Sequence, residues 1–189
     1  MNPQFWWYVA RASGLVAAVL IVATIVWGLL ITTRLIDRRG LPAWLLDLHR
    51  GLGGLSALFV GVHLAALAAD GYLHFSWREL FVPFASTYRA GPVAWGIGAF
   101  WGLVLVEGSS VIVRRRPRHG WWRRLHYLSF PVGVMVAVHA VTAGSDAGSA
   151  AFGLATVLLA AATAFLVVFR LLGGRPRESP ASNRDGALR

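Results

Sequence analysis

Apolar residues in this chain fall in long unbroken runs, and polar residues are confined to the gaps between them. Five runs, at about residues 5–33, 47–69, 92–113, 122–143 and 150–172, are each long enough to cross a hydrocarbon core, which takes ~20 helical residues. The runs are continuous rather than alternating, and isolated strands cannot satisfy their backbone groups in lipid. The pattern predicts an all-α integral membrane bundle of five transmembrane helices over residues 1–172, with a polar tail, 173–189, expected to be disordered. The first run has no basic leader, too long an apolar stretch and no small-residue cleavage site, so it reads as a span rather than a cleaved signal. The longest gap runs from Asp70 to Gly91. Within it, Leu73–Phe84 mixes aromatics with Arg78 and Glu79 and is expected to lie along the interface as a short amphipathic helix, punctuated by Pro83 and Gly91-Pro92.

Composition narrows the function classes. Of 189 residues, 57% are hydrophobic and 14% charged, against roughly 25% charged in a soluble domain. That balance excludes an ordinary soluble enzyme and a disordered chain. The absence of Cys removes disulfides, Cys-ligated zinc, iron–sulfur clusters and thioether-attached haem. All 18 basic residues are Arg, so Schiff-base and P-loop lysine chemistry are excluded too. A net charge of +10 invites a nucleic-acid partner, but the charge sits in short blocks between apolar runs, as in membrane proteins, and none is expected. Fifteen arginines follow the first, third and fifth runs, including Arg34, Arg50, Arg114, Arg123, Arg124 and Arg170; only Arg11, Arg78 and Arg89 lie on the other side. The N-terminus is therefore expected outside and the C-terminus in the cytoplasm. The Arg-only composition suits a GC-rich bacterial genome and an inner-membrane location.

Ionisable residues inside spans carry a functional reading by default. His49 and His63 belong to the second run, His126 and His139 to the fourth. Both runs cross in the same direction, so His49 matches the depth of His126 and His63 that of His139, with ~20 Å between the two levels. Facing imidazoles at each level suit one b-type haem apiece; bis-His ligation leaves no open iron site and favours electron transfer. Fourteen steps of about 100° keep His63 within ~40° of the His49 face, whereas thirteen steps turn His139 ~140° away from His126 on an ideal helix. Two haems therefore require an irregularity near Pro131 and Gly133; without it one haem is expected. Gly51, Gly53, Gly54 and Gly61 near these histidines are accounted for equally well by helix packing. Proton relays in a transporter, or structural hydrogen bonding, are the alternatives to haem.

The segments Leu48-His49-Arg50-Gly51, Gly61-Val62-His63, Leu125-His126-Tyr127 and Ala137-Val138-His139 together resemble the ferric-reductase-like transmembrane domain, over roughly residues 10–172. That family includes NADPH oxidases, ferric reductases and the haem-binding subunit of the bacterial periplasmic sulfoxide-reductase system. The resemblance implies two haems b, His49 opposite His126 and His63 opposite His139. Fuller members have six spans where five are counted here, and oxidase-type members continue into a flavin and nicotinamide domain that finds no room in this chain. The expected donor is thus a separate flavoprotein or quinone, and the acceptor ferric iron, oxygen or an external oxidoreductase. A one-haem, quinone-linked anchor subunit and a non-haem transporter or scaffold are the alternative functions.

Among the charged residues, Arg50 beside His49, Arg11 outside, and Arg123 and Arg124 inside are candidate haem-propionate partners. Glu107, the one acid deep in a span, is expected to pair with a loop arginine or to orient a histidine. His74 and His119 read as surface residues, although His74 lies on the side of the expected outer haem. The stretch Arg50-Gly51-Leu52-Gly53-Gly54 follows no strand and lacks the dinucleotide spacing. No catalytic triad, carboxylate pair or zinc cluster stands out.

Overall fold

A computed structural model describes residues 4–32, 43–113, 119–144 and 148–173. Seven helices form: α1 (Phe5–Thr32), α2 (Ala43–Ala69), α3 (Trp77–Phe81), α4 (Ala90–Val113), α5 (His119–His126), α6 (Ser129–Ala143) and α7 (Ala150–Gly173). No strand forms among the described residues. Five helical segments are long and apolar enough to cross a membrane, with α5 and α6 together making the fourth. The spans expected at 47–69 and 92–113 begin four and two residues earlier, at Ala43 and Ala90. The arginine blocks at 34–39 and 114–118 and the tail from 174 onward, including its expected disorder, lie outside the described residues.

The fourth span is broken where the angular conflict required it. Pro131 has no N–H to give the Tyr127 carbonyl, and its ring crowds that carbonyl. The chain responds with tighter bonds, Leu128 N–H to the Leu125 carbonyl at 2.9 Å and Phe130 N–H to the Tyr127 carbonyl at 3.2 Å. Regular α-helix stops at His126 and resumes at Ser129. This resets the azimuth between His126 and His139.

α1 packs most extensively on α2, and α4 on α6. Small residues are buried on both helices of the first pair: Ala10, Ser13 and Ala17 on α1 and Gly53, Ser56 and Ala66 on α2. Such residues let backbones approach in lipid, where apolar burial alone gives little drive. Their hydroxyls bond to carbonyls of the same helix, Ser13 to Val9 and Ser56 to Leu52. The histidine-bearing helices α2 and α6 barely touch each other. Space remains between them, walled by α1 and α4. α7 packs on α1 and leaves its apolar side chains, Leu154, Val157, Leu158 and Phe165 among them, facing outward.

In the long connection the amphipathic helix is shorter than the expected Leu73–Phe84. α3 covers five residues, started by a capping box between Ser76 and Glu79. It stops because Val82 precedes Pro83, which disfavours the helical conformation; Val82 is extended, with φ −109° and ψ 118°. The Trp101 indole N–H bonds to the Phe81 carbonyl at 3.0 Å, fastening α3 to α4.

Candidate functional site

Two cavities lie one above the other between the helix pairs. The first, of about 530 Å³, is lined by His49 and His126; the second, of about 600 Å³, by His63 and His139. Both fall in the ~300–1,000 Å³ range of cofactor pockets. The ring centroids of His49 and His126 are 6.0 Å apart, those of His63 and His139 6.5 Å. The structure thus pairs the four histidines as their depths suggested, and the ideal-helix conflict for His139 is removed by the break at Tyr127–Leu128.

Three of the rings rest against a glycine. A Cβ on Gly14 would come within 2.9 Å of His63 Nδ1, one on Gly28 within 3.0 Å of His49 Cε1, and one on Gly96 within 2.7 Å of His139 Nδ1. Each glycine stands four residues after a backbone carbonyl that meets the same ring. His63 Nδ1 lies 2.7 Å from the Ala10 carbonyl and His139 Nδ1 2.8 Å from the Pro92 carbonyl. The Thr24 carbonyl interacts with the His49 ring, but outside strict hydrogen-bond geometry, leaving that buried Nδ1 without a bond. A carbonyl already bonded within its helix has a second lone pair to offer. A side chain four residues on would cover it; glycine leaves it open.

The motif occurs twice on α1, 14 residues apart, at Ala10/Gly14 and Thr24/Gly28, and once on α4, at Pro92/Gly96. The same step from Pro92/Gly96 reaches Val106/Ser110, where it fails. There the Ser109 and Ser110 hydroxyls both donate to the Val106 carbonyl, at 2.9 and 2.8 Å. His126 instead stacks on Trp122, centroids 5.0 Å apart, and its buried Nδ1 makes no hydrogen bond. Sequence reasoning missed Gly14, Gly28 and Gly96 altogether, although the 14-residue step from Gly14 to Gly28 equals that from His49 to His63.

Each cavity has cationic side chains in its wall. Arg11 and Arg89 line the second, Arg50, Arg123 and Arg170 the first; Arg124 is not among the lining residues. Arg11 lies over the Trp7 ring at 5.3 Å. Arg50 also pairs with Asp47 at 3.1 Å, an exposed contact that contributes little. Arg89 donates to the Thr142 carbonyl at 3.0 Å, tying the start of α4 to the end of the helix that carries His139. Glu107 faces the first cavity and lies against Gly53, where an added Cβ would come within 2.5 Å of its Oε1. In the sequence pattern Arg89 and Arg170 stand out only as topological charge. His74 is exposed and does not line the second cavity, whereas its neighbours Leu73 and Phe75 do. The side chain of His119 is not described.

Two imidazoles cannot complete the coordination shell of a metal ion, and no group of three or more His, Asp or Glu that could hold one occurs among the described residues. The donor set fits a metal that brings most of its ligands with it. Two metal–imidazole bonds of ~2 Å each place opposed ring centroids ~6 Å apart, close to both observed separations. No family model, curated protein or solved structure matches the chain, so what the site can do rests on its own geometry.

Proposed function

We propose that this protein is a membrane cytochrome b of ferric-reductase-like type, moving electrons between a cytoplasmic donor and an acceptor outside. The observation that carries the reading is the pairing of four imidazoles at two depths, each pair at the centroid separation of opposed axial ligands and inside its own cavity. When bound there, haem b supplies a one-electron couple with no open coordination position. His49 with His126, and His63 with His139, would hold the two haems. Gly14, Gly28 and Gly96 give the rings room against α1 and α4. Arg50, Arg123 and Arg170 at one level and Arg11 and Arg89 at the other offer guanidinium groups suited to propionates.

The arginine distribution favours the His49/His126 level on the cytoplasmic side and the His63/His139 level outside, in a bacterial inner membrane. The connection containing α3 then lines the outer cavity with Leu73, Phe75, Leu80 and Tyr88. The cytoplasmic donor is a flavoprotein or quinol; the acceptor is ferric iron, oxygen or an oxidoreductase outside.

Pyridine-haemochrome quantitation and a dithionite-reduced-minus-oxidised spectrum of the detergent-purified protein test this. Two haems b per chain are expected, falling to one in His63→Ala. A protein free of haem after expression with ample haem supply would overturn the reading and leave a transporter or scaffold.

A further inference from the structure

The two levels differ in what stands behind the histidines. At the His63/His139 level both Nδ1 atoms meet a backbone carbonyl, at 2.7 and 2.8 Å. At the His49/His126 level both Nδ1 atoms are buried and neither makes such a bond, the His49 ring having only the looser approach of the Thr24 carbonyl. The difference has a local cause. Gly14 and Gly96 leave the Ala10 and Pro92 carbonyls open to the rings, whereas two serine hydroxyls occupy the carbonyl of Val106, which lines the same cavity as His126. A Cβ on Gly14 or Gly96 would lie 2.9 or 2.7 Å from Nδ1 itself, in the path of the bond. Gly28 does not share this feature, since a Cβ there would lie 3.6 Å from His49 Nδ1.

The geometry points to Gly14 and Gly96 as positioning residues that hold His63 and His139 as Nδ1–H donors to the Ala10 and Pro92 carbonyls, making their level the lower-potential of the two. This rests on the haem reading proposed above. An imidazole that donates from Nδ1 to a carbonyl pushes more electron density through Nε2 and is a more basic ligand. More basic axial ligands stabilise ferric over ferrous iron and lower the reduction potential; ligand hydrogen bonding is one of the levers a protein has on haem. With both ligands bonded at one level, and only the looser Thr24 contact to His49 at the other, the effects on His63 and His139 add. Passage from the His49/His126 level to the His63/His139 level is then an uphill step, and net outward flow is set by the potentials of the donor and the acceptor.

A redox titration of the purified protein, followed by its difference spectrum, separates the components. Two midpoints are expected, and His63→Ala should abolish the lower one while His49→Ala abolishes the upper. Should one of these variants fail to assemble, the other still assigns the pair. Gly14→Ala, with both haems retained by haemochrome assay, should raise the lower midpoint and leave the upper one in place. Gly28→Ala puts a methyl against the His49 ring, at the other level, and should not raise the lower midpoint. Coincident midpoints, loss of the upper component in His63→Ala, or an unmoved lower midpoint in haem-replete Gly14→Ala would each overturn the inference with the cytochrome reading intact. A protein without haem would instead remove the reading on which it stands.

Discussion

The Glu79 carboxylate accepts from the Ser76 amide and hydroxyl at one oxygen, at 3.0 and 2.8 Å, and from the Thr87 amide and hydroxyl at the other, both at 3.2 Å. One side chain thus closes the loop from Ser76 to Thr87 over the second cavity. Hydrogen bonds to the ionised form, those from Ser76 foremost, hold its carboxyl down to about 2 from the ordinary 4.5. The folded value is below the unfolded one, so this contribution to the roof is complete above pH 4.5 and is lost as pH falls toward about 2. A carbon NMR titration of the Glu79 carboxyl is expected to give that depressed midpoint, and Ser76→Ala should raise it toward 4.5. A midpoint near 4.5 in the unaltered protein would show that the roof is open in solution. The sequence made the histidines conspicuous because an imidazole in lipid is costly. Gly14 and Gly96 were not conspicuous, because a glycine in a membrane helix looks the same whether it admits a neighbouring helix or a ring. Only the position of the carbonyl four residues earlier separates the two roles.

At the scale of elements, the informative feature is the break between α5 and α6. Thirteen steps of an unbroken helix would turn His139 about 140° from the His126 face, yet each histidine meets its partner on α2. The need for an irregularity near Pro131 was legible from that conflict. Its form, a tight turn through Tyr127 and Leu128, was not, since angular counting gives a total rotation and not where it is absorbed. Removing the proline restores an N–H for the Tyr127 carbonyl and favours a continuous helix by roughly 3 kcal/mol. Pro131→Ala is accordingly expected to straighten the span and turn one histidine from its partner, lowering haem from two per chain toward one by haemochrome assay. Retention of both haems at full occupancy would mean that Gly133 or the packing on α4 sets the azimuth. The extent of α3 was over-read for a related reason. Its aromatic and charged pattern continues past the residue at which Pro83 forbids the helix to go on.

For the molecule as a whole, the five crossings were legible from run length, and the spaces between the helices were not. Hydropathy reports that a segment faces lipid or protein, but both are apolar, and it cannot say that α2 and α6 stand apart while α1 and α4 close the gap. The same limit applies to α7, which is as apolar as α1 and yet lies at the periphery. Orientation rests on the arginines alone, and it decides which histidine pair meets the external acceptor. The absence of cysteine makes it directly measurable, because any thiol introduced is the only one present. Gly71 and Gly120 are exposed, lie at opposite ends of the bundle, and have nothing near the position of an added Cβ. Gly71→Cys in intact cells is expected to react with a membrane-impermeant maleimide, and Gly120→Cys only after the membrane is opened. The reverse pattern would put the carbonyl-bonded pair, His63 and His139, on the cytoplasmic side. The lower-potential level would then face the cytoplasmic donor, and electron passage from it to the other level would run downhill.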